Sequence, residues 1–509
     1  MPTLTIEMVL IATVIAWHYS LFCGYISDDH AAVAKRKDII PDQEKVDRKE
    51  PFWIKRFNDG LVMFYLKSLF WSLGFRKYPL PWHAFSLWLH VANTYLLYLV
   101  LFPIIGYEKA LYTCAFWSVS PILNQNVVWI SGSPYLIGMF LGLIAMMGWD
   151  NPLIFMPFYL LGVVTNICIV FIPLLLAFLH PESILPKLYF GFMFLTAVPF
   201  VIWKFNKRFT NGLVLDRNHF RWNNRKLNVI ARMTIYYVEA ILVPTKMGWY
   251  HEQGFAYNKA WEKFNYKTLA GYLLLLGFAL SGIPGLWWIL GFIPVSNLFA
   301  TNSFLQDRYL YFCSVGFAII LSGVFMQYPL VFFMAMTFYM TRAYMYSRYM
   351  HNDEILYRKN WENHPDSDNA VNNLAYFLIN QHRYDEARVV VERGLTINPN
   401  NKMLWYNLGI TYTAQGHFAN EEGKLKLIRA IQAFNKCLKI EPRWEKPMKD
   451  LQKIIPKMIE MGVLVPNTSS EKGGMVVDIP NFILQKDEND KPGSSNDNTV
   501  KQDAGVQPA

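Results

Sequence analysis

The sequence predicts an all-α protein: a polytopic membrane helical bundle, then a short array of paired helices, then a disordered tail. Three observations carry that prediction. Of 509 residues 53% are hydrophobic and 17% charged, with the charges crowded into a few stretches, which is too apolar for one ordinary soluble core. Uncharged runs extend from Ala110 to Trp149, Asn151 to Leu179, Leu188 to Trp203, Thr268 to Gln306 and Tyr309 to Thr341. Beyond Thr341 the pattern changes to amphipathic helices separated by polar turns.

A membrane-spanning helix needs about 20 apolar residues, because helical rise is about 1.5 Å and the hydrocarbon is about 30 Å thick. Several runs are therefore expected to cross twice. With the segments near Leu4 to Ile26, Ala84 to Leu101 and Leu227 to Val243, the length criterion gives about eleven or twelve crossings within residues 1–341. Only the segment Asn151 to Leu179 leaves the count open by one. The first segment has no basic region before it and no small-residue cleavage site, so it is expected to stay as a helix. The protein is accordingly expected to be multi-pass, in a bacterial inner membrane or the endoplasmic reticulum membrane.

Between Lys204 and Lys226 a loop carries seven Lys/Arg and one acid, which favours the cytoplasmic side. Lys35, Arg36 and Lys37 after the first helix argue for the reverse topology, and the longer loop is preferred. The net charge of +10 has no soluble basic domain to carry it, so headgroup contact is expected and nucleic-acid binding is not. Cys23, Cys114, Cys168, Cys313 and Cys437 are scattered and form neither a disulfide framework nor a metal knuckle.

The C-terminal region, residues 342–465, carries an internal repeat. Leu374, Ala375, Tyr384, Ala387, Leu395 and Pro399 fall where a helix pair needs close packing and a stop. Trp405, Leu408, Gly409, Tyr412, Gly416, Phe418, Ala430, Phe434, Leu438 and Pro442 repeat the order, with an insertion of about nine residues after Phe418. Both units match the tetratricopeptide pattern. A half unit ending at Pro365 precedes them, and so few repeats are expected to lean on the membrane domain or on a partner. Docking of a protein or peptide is favoured over a purely structural cap. Residues 466–509 are rich in Ser, Asn, Asp, Lys and Gly, a disordered composition, with Met475 to Leu484 as a candidate docking strip.

Chemistry is sought in the loop 27–83. Asp28, Asp29 and His30 fall at the membrane surface just after the first helix. Carboxylates beside hydrocarbon are costly when buried, so they face water or a site; the plainer reading is a polar exit turn with Asp as a helix cap. The stretch from Pro51 to Phe75 spaces aromatic and aliphatic residues helically, with Lys and Arg at its edges. It fits a helix lying in the interface.

The order of these features resembles the transmembrane and tetratricopeptide-repeat (TMTC) proteins, GT-C fold glycosyltransferases related to protein O-mannosyltransferases. The resemblance runs from Ile26 to Pro442 and rests on the Asp pair, the interfacial segment, WHAFSLWLHVANTYLLYLVL, SPILNQNVVWISGSPYLIGMF, QDRYLYFCSVGFAII and the repeats. It implies transfer of a sugar such as mannose from a polyprenyl-phosphate donor to a protein hydroxyl. By resemblance Asp28 or Asp29 is the general base, and His83, His90 and Asn93 are the polar positions of the second helix. Asp307, Arg308 and Tyr309 match the Glu-Arg-Tyr element, where arginine neutralises a lipid phosphate. Pro244 matches the proline ending a middle helix.

The chemistry suits those residue types. A hydroxyl attacking a sugar carbon needs a base in hydrogen-bond reach, and a phosphate leaving group needs positive charge nearby. One base with in-line attack inverts the carbon, whereas a covalent nucleophile retains it. Two carboxylates are able to hold a divalent metal, although no further cluster demands one, and no organic cofactor is expected. The chain departs from the family where Ser120 and Pro121 replace His-Pro, Gln125 replaces a glutamate, and Ser133 and Tyr135 replace an arginine and an acid after Trp129, Ile130, Ser131 and Gly132. Those losses keep a second reading open, a catalytically silent membrane scaffold whose repeats hold another protein. A transporter is disfavoured, since the spans lack paired acids at midplane depth.

Overall fold

The computed structural model describes residues 4–34, 61–199, 202, 225–245, 259–298 and 305–463. The basic loop from Lys204, the Lys35–Lys37 triplet and the tail with its Met475 to Leu484 strip lie outside these residues. The described residues are helical and contain no strand, as the sequence predicts. Two compact units divide the chain, Met1–Phe377 and Leu378–Ala509.

The first unit opens with α1 (Ile6–Trp17), started by Thr5, whose hydroxyl accepts from the Met8 amide. A 3-10 turn, His18–Phe22, prolongs it. Then follow α2 (Leu61–Ser72), α3 (Leu80–Ile105), α4 (Tyr107–Ser118), α5 (Asn124–Val127), α6 (Ser133–Met147), α7 (Pro152–Thr165), α8 (Ile172–Leu179) and α9 (Leu185–Phe192). After residue 225 come α10 (Lys226–Leu242), α11 (Tyr266–Leu280), α12 (Ile283–Phe292), α13 (Leu310–Gln327), α14 (Pro329–Tyr349) and α15 (Asp353–Asn363), and the division between the units falls within α16 (Asp368–Asn380). Part of the stretch expected to hold an interfacial helix is helical, as α2, with Tyr65, Leu69 and Leu73 exposed; residues 51–60 lie outside the described set.

Three stretches among the described residues are long and apolar enough to cross a membrane: Leu80–Ile105, Ile130–Met147 and Asp307–Gln327. Shorter apolar helices include Ile6–Phe22, Pro152–Thr165, Ile167–Leu179, Tyr266–Leu280 and Ile283–Val295. Among the described residues this criterion gives three, where eleven or twelve crossings were expected within residues 1–341. The reason lies in helix continuity. The uncharged run Ala110 to Trp149 contains Pro121 and Pro134, and it breaks into α4, two 3-10 turns, the short α5 and α6. Twelve residues of α4 reach only about 18 Å.

The longest helix, α3, buries polar groups and exposes aromatic ones. Its buried side includes His83, Ser86, His90, Asn93 and Thr94, whereas Trp88, Tyr95 and Phe102 are exposed, each seven residues from the next. Polar groups inward and aromatic groups outward invert the pattern of a helix in water. The core of the unit is aromatic, with Trp17, Trp117, Trp287 and Trp288 fully buried.

The second unit stacks α17 (Tyr384–Ile397), α18 (Lys402–Gln415), α19 (Glu421–Ile440) and α20 (Glu445–Glu460). Gly409 explains how α18 and α19 approach: a Cβ there would meet the Phe434 ring at 2.4 Å. The insertion anticipated after Phe418 is absorbed as helix, since α19 has 20 residues against 14 in α17. Asn420 caps α19 by accepting from the Gly423 amide.

Candidate functional site

The site is built on the irregular segment 119–132 between α4 and α6. Its residues from Val119 to Ile130 are all buried, so each backbone group and amide side chain needs a partner. Partners come from three other pieces of chain: the turn after α1, the 3-10 turn Asp307–Tyr309 that opens α13, and the Tyr346 carbonyl of α14, which accepts from Asn124 Nδ2 at 3.4 Å.

The turn after α1 carries the Asp pair, and it separates the two. Ser27 takes a positive φ of 51°, an uncommon conformation for a side-chain-bearing residue. Asp28 then faces solvent while Asp29 is completely buried. Asp29 Oδ1 accepts from the Ser131 amide at 2.9 Å and from the Ser131 hydroxyl at 2.6 Å. A cluster of Val33, Trp82 and Ile130, backed by Tyr25, Phe70 and Trp71, packs beside them. Burial pushes the Asp29 carboxyl up to about 7, against the lowering effect of the Ser131 hydrogen bonds and, last, the Lys67 charge.

Arg308 meets the same segment, lying over the Trp129 ring at 5.2 Å and over Tyr309 at 5.6 Å. Its Nη1 donates to Gln306 Oε1 at 2.9 Å. Its amide donates to Gln125 Oε1 at 3.4 Å, and its carbonyl accepts from Asn126 Nδ2 at 3.1 Å. Asp307 is buried and, with Asn124 and Gln125, lines a cavity with room for about one water. Tyr309 is buried beside Tyr135, ring centroids 6.4 Å apart. Asp29 and Arg308 therefore brace the same strip of chain, one at Ser131 and the other at Trp129. Gly132 keeps that strip folded on itself, because a Cβ would meet the Gln125 carbonyl oxygen at 2.2 Å.

The other residues singled out in the sequence do different work. His30 is exposed and bonds through Nε2 to Asp353 Oδ2 at 2.9 Å, while Asp353 Oδ1 accepts from the Ser27 amide at 2.7 Å. His83 Nε2 lies 3.3 Å from the Gly24 carbonyl and so fastens the loop to α3. His90 and Asn93 tie helices together. His90 Nε2 donates to the Ser118 carbonyl at 2.8 Å, which leaves Nδ1 to accept from the Tyr311 hydroxyl at 2.8 Å. Asn93 Nδ2 donates to the same hydroxyl at 3.1 Å and to the Leu136 carbonyl at 2.9 Å. Tyr311→Phe is therefore expected to lower stability by about 1–3 kcal/mol by stranding two buried groups, read as a melting-temperature drop that Tyr95→Phe, at an exposed position, does not share.

Sequence reading missed Ser131 as the holder of the carboxylate, Gln306 as the partner of the guanidinium, and Asp353 as the latch on the Asp loop. Among the described residues no group of three or more His, Cys, Asp or Glu is placed to hold a metal ion. In chemical terms the strip places an acid poised near neutrality and a cation stacked on indole at neighbouring positions.

A family model decides one part of the chain. Residues 369–401 match the tetratricopeptide repeat. No curated protein and no solved structure matches the chain. The matched tetratricopeptide residues take in most of α16 and all of α17, the helix pair of the first predicted unit. Such repeats support binding of a protein partner.

Proposed function

We propose that this chain is a multi-pass membrane glycosyltransferase of GT-C type, moving a sugar from a polyprenyl-phosphate donor to a hydroxyl of a protein held by the tetratricopeptide region. One observation carries the reading: Asp29 and Arg308 are held against positions two residues apart, Ser131 and Trp129, in one strip. A carboxyl whose pKa lies near 7 is matched to taking a proton at neutral pH. Asp29 is accordingly preferred to Asp28 as the base, with Arg308 offering the donor phosphate two parallel hydrogen bonds. The inverted polarity of α3 supports placement in hydrocarbon.

The test is transfer from a polyprenyl-phosphate-mannose donor to a protein or peptide acceptor by the reconstituted full chain. Arg308→Ala is expected to cut the rate about 100- to 1,000-fold, as loss of one charge-stabilising donor does elsewhere, with Arg308→Lys recovering part of it. Transfer that is indifferent to Arg308 overturns the proposal.

The scaffold reading draws on a different observation: Asp29 has no accessible surface, so an acceptor reaches it only after the surrounding aromatic side chains move. A scaffold retains a stoichiometric partner through membrane extraction and loses it on removal of residues 378–509, with no transfer by either form.

A further inference from the structure

Where the His18–Phe22 turn meets the end of α14, a cavity of about 320 Å³ opens between Tyr19, Met345, Arg348, Tyr349, Ile355 and Lys359. Two cations line it and no acid does. The exposed Arg348 carries its guanidinium over the Tyr19 ring at 5.9 Å, and the Lys359 ammonium lies 5.7 Å from the centre of the Tyr349 ring. Aromatic faces of this kind pre-orient cations at little cost.

The acids nearby on α15 are already engaged. Glu362 accepts from Lys359 at 2.6 Å, Glu354 pairs with Arg358 at 3.0 Å, and Asp353 holds Ser27 and His30. Lys359 has further donors to offer, since an ammonium carries three. Below the cavity, α1 and α14 pack together, and both expose apolar side chains along their lengths: Ile11, Ile15 and Phe22 in the first segment, Phe333, Met334 and Phe338 in the second. Apolar surface thus ends at a cationic, aromatic hollow.

We infer that this cavity binds a phosphate-bearing anion, the headgroup of an anionic phospholipid whose chains lie along the exposed apolar sides of α1 and α14. A guanidinium fork suits phosphate oxygens, and the Lys359 ammonium supplies a second point of charge. Cations at a membrane border attract anionic lipid in the same way. The lipid source rests on the membrane reading above; the phosphate chemistry does not. The cavity is distinct from the Trp129–Ser131 strip, although Tyr349 and Lys359 also line the small cavity at Asn124, Gln125 and Asp307.

The experiment uses the full chain in nanodiscs of phosphatidylcholine with a minor share of phosphatidylglycerol, with retained lipid read by native mass spectrometry. Wild type is expected to retain phosphatidylglycerol selectively, and the Arg348→Ala/Lys359→Ala double variant to lose about tenfold of that selectivity. Arg358→Ala, whose side chain pairs with Glu354 outside the cavity, is expected to keep it. Equal selectivity in wild type and the double variant overturns the site. A second arm titrates glycerol 3-phosphate against the chain in detergent. Binding there with the same dependence on Arg348 and Lys359, without lipid selectivity, overturns the lipid assignment in favour of a soluble phosphate. That arm needs no bilayer, so failure of the membrane reading, seen as protein that stays in solution without detergent, is distinguishable from failure of the site.

Discussion

Asp29→Asn is expected to abolish sugar transfer while leaving the protein folded, and at the same time to remove a pH dependence of its stability. The activity loss expected for a missing general base is about 100- to 10,000-fold, whereas Asp28→Asn, at a solvent-facing position, is expected to change the rate little. The stability effect follows from the carboxyl's burial. Its pKa rises from 3.8 to about 7 on folding, so the folded state binds the proton more tightly than the unfolded chain. Stability from this group is then full below pH 4, falls as pH rises toward 7, and is flat above that. A shift of this size corresponds to on the order of 4 kcal/mol across the window. Asparagine keeps an acceptor for the Ser131 amide and hydroxyl and carries no charge, so its melting temperature should not fall over that range. Parallel melting curves of wild type and variant settle the matter, and a wild type whose stability rises from pH 4 to 7 as the variant's does would contradict the burial of an ionisable Asp29.

The second large effect is expected at Gly132. Its φ is −79°, so the backbone conformation is open to any residue and the constraint is space alone. An alanine Cβ would sit 2.2 Å from the Gln125 carbonyl oxygen and 3.3 Å from Asn126 Cα. Both are backbone atoms of the buried strip and cannot swing aside. Relief requires moving Ser131 off Asp29 or Gln125 off Arg308. Gly132→Ala is expected to cost about 3 kcal/mol or more and to impair transfer along with stability. Gly277, in α11 with nothing within 4 Å of its added Cβ, is the matched control. There alanine is expected to be neutral or to stabilise by up to about 1 kcal/mol, as its helix propensity dictates. A Gly132→Ala protein melting with wild type would mean that the strip is not packed as described.

Much of the fold was legible residue by residue. The change of pattern past Thr341 pointed to paired helices, and the small residues of the repeat, Gly409 among them, fit a close helix approach; that Phe434 is the ring Gly409 faces came from the structure. The helix α2 was legible from a repeat of apolar residues at helical spacing. Counting crossings failed where composition and continuity part company. Hydropathy over Ala110 to Trp149 measures how apolar the run is and is blind to where Pro121 and Pro134 interrupt it, so a stretch long enough for two spans yields one helix of spanning length, a short helix and a buried irregular strip.

By itself, the sequence determined the helical class, the apolar character of the long segments and the repeat at 369–401, because each depends on periodicities within a few turns of one helix. It also placed an acid pair just beyond the first helix. Only the tertiary structure decided which acid is buried, that Ser131 holds it, and that Arg308 stacks on Trp129 two residues away. Those outcomes depend on contacts between residues about 100 to 180 positions apart, and on a turn at Ser27 that sends neighbouring side chains to opposite environments. Local pattern fixes which face a helix shows, but the desolvation that makes one carboxyl chemically distinct from its neighbour exists only once distant segments close over it.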